Sequence, residues 1–64
     1  MTQLIQSLTI TDPSSVLPLA QLLKAVRERL PGVRRDELIV SLATGGYSLL
    51  CSGEGTYISG IKLA

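Results

Sequence analysis

The side chains of this chain that could perform chemistry are few, and their spacing argues against catalysis. The 64 residues include no histidine and a single cysteine, Cys51. Without histidine the commonest general base is missing, and one cysteine alone cannot build a tetrahedral zinc site. The one adjacent pair of carboxylates is Asp36 and Glu37, and neighbouring residues on a helix point about 100° apart. We therefore expect no enzymatic activity, no metal, no cofactor and no small-molecule substrate.

Cys51 follows Tyr47 and Leu49 at alternating positions of a strand-like segment. This alternation predicts that its side chain faces inward as a small hydrophobic group rather than as a reactive thiol. A single cysteine forms no internal disulfide, which fits a reducing, cytoplasmic environment.

Arginine is concentrated on either side of one turn, Pro31-Gly32. Basic side chains near a helix N-terminus commonly contact phosphates, so these arginines predict a nucleic-acid-binding edge. The alternative is a solvated edge that Glu28, Asp36 and Glu37 largely neutralise. The residues of this basic edge are Arg27, Arg29, Arg34 and Arg35.

The composition indicates one small domain, residues 1–64, with more apolar surface than its core can bury. Hydrophobic residues make up 45% of the chain and charged residues 17%, and the net charge is +1. So small and apolar a chain is expected to form a homodimer or to bind a protein partner, with Ile10, Val40 and Leu50 as candidate contacts. The low net charge supplies little attraction for polyanions. No apolar stretch approaches the length of about 20 residues that a membrane span requires, so no membrane partner is expected.

The segment from Pro18 to Leu30 has the clearest pattern, and it predicts a helix. Its apolar residues fall on about a third of the helix circumference. Pro18 suits the first helical turn, and Pro31-Gly32 ends the helix. A break at residues 12–15 and a short strand at Val16-Leu17 precede it. The expected core stripe is Leu19, Leu22, Leu23, Val26 and Leu30.

Residues 36–44 fit two structures. As a helix, the segment starts at Asp36 as N-cap, has Glu37 in the first turn and ends at Gly45 in a left-handed conformation. As a strand, its β-branched residues pair with the next segment through a Gly45-Gly46 hairpin loop. Spacing alone leaves both open.

The remainder predicts a β-hairpin around Gly53-Glu54-Gly55. In its second strand the alternation shifts by one residue at Ser59-Gly60. Ile58 and Ile61 can share a face only if that dipeptide contains a bulge.

With a helix at 36–44, the order of elements over residues 16–63 resembles a winged helix-turn-helix domain and is loosely similar to the LOTUS type. The likeness rests on the aliphatic spacing of "VLPLAQLLKAVRERLPG…DELIVSL…YSLLCSGEGTYISGIKL". The resemblance implies binding of DNA, RNA or protein, without catalysis by the fold itself. Two features differ from a DNA-reading member: Glu54 lies at the hairpin tip, and the second helix exposes Glu37 and Val40.

We therefore predict an α+β winged helix-turn-helix with a C-terminal hairpin; the alternative is a β-α-β-β-β antiparallel sheet covered by one helix. The expected function is a non-enzymatic, regulatory binding module that contacts nucleic acid through the basic edge. The alternative is a protein-interaction or dimerisation adaptor that binds no nucleic acid.

Overall fold

A computed structural model describes residues 1–64 as an α+β fold with three helices and three strands. None of the helices is both long and apolar enough to cross a membrane. The elements, in chain order, are α1 (Thr2–Leu8), β1 (Thr9–Pro18), α2 (Leu19–Arg29), α3 (Arg35–Thr44), β2 (Ser48–Ser52) and β3 (Gly55–Leu63).

The three strands form one antiparallel sheet in the order β1-β3-β2. Leu17 and Leu49 both pair with Ile58 of the central strand, and this row faces the helices. Val16 and Leu50 are one residue away on the outer strands, so they point to the opposite, solvent-facing side. The helices therefore cover one face of the sheet only.

The core lies between that face and the helices. Leu22 and Val26 of α2 and Leu38 and Leu42 of α3 are completely buried, because helical spacing places each pair on one side of its helix. The buried hydrophobic cluster consists of Ile5, Leu17, Leu19, Leu22, Val26, Val33, Leu38, Leu42, Ile58 and Ile61.

The sheet is irregular at Ser59-Gly60, as expected, but the extra residues lie on β1 rather than on β3. Pairing shifts between Thr11 and Val16, and Gly60 opposite has a φ of 85°. A φ in this range is rarely adopted by residues with a Cβ, which explains the glycine. As a result Ile58 and Ile61 are both buried.

The extra residues are 12–15 of β1, between the paired positions Thr11 and Val16. The carboxylate of Asp12 holds them in place. It accepts hydrogen bonds from the Ser14 backbone N–H at 3.1 Å, the Ser14 hydroxyl at 2.8 Å and the Ser15 hydroxyl at 2.9 Å. Lys62 forms an ion pair with it at 3.4 Å. These contacts lower the pKa of Asp12 to about 2, and the hydrogen bond from the Ser14 side chain contributes most to the lowering.

Residues 35–44 form a helix, which is the first of the two structures expected for this segment. Its ends differ from the expectation. The N-cap is Arg34 rather than Asp36, because Glu37 reaches back and accepts the Arg34 backbone N–H at 3.2 Å.

At the C-terminus of α3, Gly46 rather than Gly45 is left-handed, with a φ of 82°, while Gly45 remains right-handed. The Gly46 N–H donates to the Ala43 carbonyl at 3.2 Å and the Tyr47 N–H to the Leu42 carbonyl at 3.0 Å. This pair of bonds is the Schellman motif, which satisfies the last carbonyls of the helix and directs the chain into β2.

The helix expected from Pro18 to Leu30 is one residue shorter at each end. The expectation that Leu30 belongs to the core stripe is wrong: its φ of −131° takes it out of the helix, and its side chain is exposed. Val33, after the Pro31-Gly32 turn, is buried instead.

Candidate nucleic-acid interface

The four arginines of the basic edge lie close together along the chain where α2 meets α3, and all four are exposed. Arg27 and Arg29 occupy the last turn of α2. Arg34 is the N-cap of α3 and Arg35 is its first residue. The short connection between the two helices therefore brings both pairs to the same end of the helical layer.

Arg27 has a structural contact as well as an exposed head group. Its Nε donates to the Val33 carbonyl at 3.0 Å, which ties the last turn of α2 to the segment that leads into α3. A guanidinium has five N–H donors, so this bond leaves the two terminal amino groups available. Arg27 thus stabilises the turn and contributes charge to its surface.

Arg35 reaches across to the hairpin. Its Nη2 donates to the Thr56 hydroxyl at 3.0 Å, linking the start of α3 to β3. Beside this contact is an open groove of about 210 Å³. Leu23 and Tyr57 contribute apolar surface to the groove, and Glu54 brings a carboxylate.

None of these arginines pairs with a carboxylate, since the ion pair of the structure joins Lys62 and Asp12. Glu37, which could have neutralised Arg34, instead accepts a backbone N–H. The expected neutralisation by Glu28, Asp36 and Glu37 therefore does not occur through direct contact. The guanidinium charges face solvent and can accept an anionic ligand.

Acidic groups nevertheless border the edge. Asp36 and Glu37 are exposed in the first turn of α3, where they favourably complement the helix dipole but repel phosphates. Glu54, at the hairpin tip, repels them from the other side of the groove. The site is suited to a few phosphate contacts rather than to an extended polyanion.

The expectation that Cys51 is a buried core thiol is wrong, because its side chain is exposed. Its Sγ lies 3.9 Å from the Thr56 hydroxyl. Alternation does place Cys51 on the same side of β2 as Leu49, which packs against the core. Cys51 lies two residues nearer the hairpin tip than Leu49, and there the side chain is exposed.

The three aliphatic residues predicted to contact a protein partner are exposed but lie on different elements. The exposed fractions are 47% for Ile10 in β1, 63% for Val40 in α3 and 49% for Leu50 in β2. Sequence reasoning missed Val16, which is 51% exposed on the outer face of the sheet. Its exposure could have been predicted from its position one residue before the inward-facing Leu17, because successive side chains of a strand point to opposite faces.

The arrangement of acidic and sulfur side chains provides no group of three that could hold a metal ion. Comparison of the chain with known protein families, with curated proteins and with solved structures finds no match.

Proposed function

We propose that this chain is a small winged-helix module that binds nucleic acid through phosphate contacts made by the basic edge. The order of elements supports it: a helix, a strand, two further helices and a hairpin, with the first strand pairing to the last. In winged helices, the second of the two consecutive helices and the hairpin commonly approach nucleic acid, and here those elements are α3 and β2–β3.

The observation that carries the proposal is the set of four exposed arginines without carboxylate partners at the junction of α2 and α3. Arg34 and Arg35 adjoin the N-terminus of a ten-residue helix, where unpaired backbone N–H groups and the helix dipole favour anions. A phosphate there would meet guanidinium and backbone donors together.

Binding through such a site depends on charge and is weakly selective for sequence. The exposed surface of α3 contains Asp36, Glu37 and Val40, which offer few donors to base edges. Phosphate neutralisation then supplies most of the affinity, and added salt weakens it.

The second candidate is a protein adaptor. Val40 supports it, because an aliphatic side chain that is 63% exposed in the middle of α3 offers no hydrogen-bond donor or acceptor to a phosphate or a base edge. In this case α3 presents Val40 to a protein partner and the arginines contribute only to solubility.

Fluorescence anisotropy at low salt with labelled duplex DNA, single-stranded DNA and structured RNA tests the proposal. The informative variant is Arg34→Gln with Arg35→Gln, and its matched control is Gln3→Glu with Gln6→Glu. Each lowers the net charge by two, and the control residues are exposed on α1, which contains none of the arginines. We expect the arginine variant to lose binding and the control to retain most of it.

Equal weakening by both variants would indicate a response to net charge alone. No binding by the wild-type protein to any of the three nucleic acids would reject the proposal and leave the adaptor.

A further inference from the structure

The outer edge of β2 is open. β2 is the last strand in the sheet order, and it pairs with β3 on one side only. No backbone hydrogen bond from a turn, loop or helix cap involves residues 48–52. The backbone groups on its outer side are therefore available to another strand.

The residues whose backbone faces this edge follow from the hairpin turn. Ser52 pairs with Gly55 across a two-residue turn, so this is a hydrogen-bonded pair. Hydrogen-bonded and non-bonded pairs alternate along an antiparallel ladder, so Leu50 bonds to β3 as well. Leu49 and Cys51 then direct their N–H and C=O groups to the free edge.

The other edge of the sheet is protected. β1 contains Pro13, which has no N–H to donate, and its regular pairing is broken between Thr11 and Val16. Asp12 adds charge to this edge, and Lys62 of β3 forms an ion pair with it. Proline, irregularity and charge are the features by which edge strands avoid pairing with other chains. β2, with the sequence Ser-Leu-Leu-Cys-Ser, has none of them.

We propose that two copies of this chain associate through their β2 edges as antiparallel strands related by a two-fold axis at Leu50. In this register Leu50 faces its counterpart, Leu49 faces Cys51 of the second copy, and Ser48 faces Ser52. The outward backbone groups of Leu49 and Cys51 then hydrogen-bond across the axis, and the two sheets become one sheet of six strands. This association rests on the open edge of β2 and not on the nucleic-acid contact.

The β2 edge is self-complementary, and this identifies a second copy of the chain as its partner. Every facing pair in this register joins uncharged residues, and Leu50, the exposed leucine of β2, meets itself on the axis. At a net charge of +1, two copies repel each other only weakly. The core of a single copy is small, so the added burial of Leu50 is a substantial gain.

The first experiment measures molar mass by analytical ultracentrifugation from micromolar to millimolar concentration, for the wild-type protein, Leu50→Lys and Val16→Lys. The two variants place the same charge on the same face of the sheet, at sites that are 49% and 51% exposed. We expect the wild-type protein and Val16→Lys to dimerise and Leu50→Lys to remain monomeric, because two like charges would face each other on the axis.

A monomeric wild-type protein at millimolar concentration would overturn the proposal. If both lysine variants were monomeric, the copies would pack through the outer sheet faces instead of the edges, which also contradicts it.

The second experiment tests the register in a Cys51→Ser background. Facing residues of a non-hydrogen-bonded pair have Cα atoms about 4.5 Å apart, within the range that a disulfide bridges. Under oxidation by copper phenanthroline in air, Leu50→Cys should form a covalent dimer rapidly, whereas Val16→Cys should do so only slowly. Equal rates for the two cysteines would exclude a two-fold axis at Leu50.

Discussion

Arg35 at the start of α3 donates a hydrogen bond from Nη2 to the hydroxyl of Thr56 on β3, at 3.0 Å. The two residues are 21 positions apart in the chain, so this contact joins the helical layer to the hairpin. It also orients one guanidinium of the basic edge beside the groove that Glu54 and Tyr57 line.

Thr56→Val removes the acceptor while preserving the shape of the side chain. Because the bond is exposed, we expect the free energy of unfolding to fall by less than about 1 kcal/mol. Amide hydrogen exchange at Leu50 and Ser52, whose backbone groups bond to β3, should nevertheless accelerate as the hairpin tip loses its tie to α3. Unchanged exchange there would show that the Arg35 contact does not restrain the hairpin.

Gly46→Ala tests the left-handed residue that ends α3. A Cβ at Gly46 meets no atom within 4 Å, so the strain comes from its φ of 82° alone. We expect a loss of about 1–2 kcal/mol in the free energy of unfolding, measured by urea denaturation. Gly32→Ala is the control, because Gly32 has equal space and no positive φ. A similar loss in the control would point to a cause other than backbone conformation.

The exposed Cys51 should react with a thiol reagent in native buffer nearly as fast as in denaturant. Cys51→Ser should change the free energy of unfolding by less than about 0.5 kcal/mol, because the side chain lies outside the core. The assay belongs at low protein concentration, where β2 is unpaired. Slow native labelling under that condition would place the thiol in a protected environment.

The carboxylate of Asp12 should titrate at about pH 2 rather than at its ordinary pKa of 3.8. Because the pKa is lower in the folded state, the contribution of Asp12 to stability is present above about pH 4 and lost as the pH falls toward 2. Ser14→Ala should raise the pKa of Asp12, since the hydrogen bond from the Ser14 hydroxyl contributes most to lowering it. Carboxyl ¹³C chemical shifts across this range measure both values; a wild-type midpoint near 3.8 would contradict the prediction.

Nucleic-acid affinity should depend steeply on salt. With about three or four phosphates neutralised, the slope of log K against log salt should be about −3 to −4 on duplex DNA. Glu54→Lys at the hairpin tip should tighten binding by replacing a repulsive charge, without adding sequence preference. If Glu54→Lys left both affinity and slope unchanged, the hairpin would lie away from the bound phosphates.

The sequence by itself determined the elements whose signals are local. Apolar spacing between Leu19 and Val26, followed by Pro31-Gly32, is sufficient to specify a helix and its end. The one-residue shift at Ser59-Gly60 required an irregularity in the sheet, because Ile58 and Ile61 share the buried face, although the extra residues proved to lie on β1. The arginines flanking the α2–α3 turn were likewise readable, since exposure and charge need no tertiary partner.

Only the tertiary structure decided between helix and strand for residues 36–44, because Leu38 and Leu42 suit either. In the helix they enter the same buried cluster as Leu22 and Val26, and that burial outweighs the strand preference of the segment. The exposure of Cys51 was also decided by the tertiary structure. Alternation specifies the side of a strand, whereas burial requires other side chains packed above it, and Cys51 near the hairpin tip is exposed.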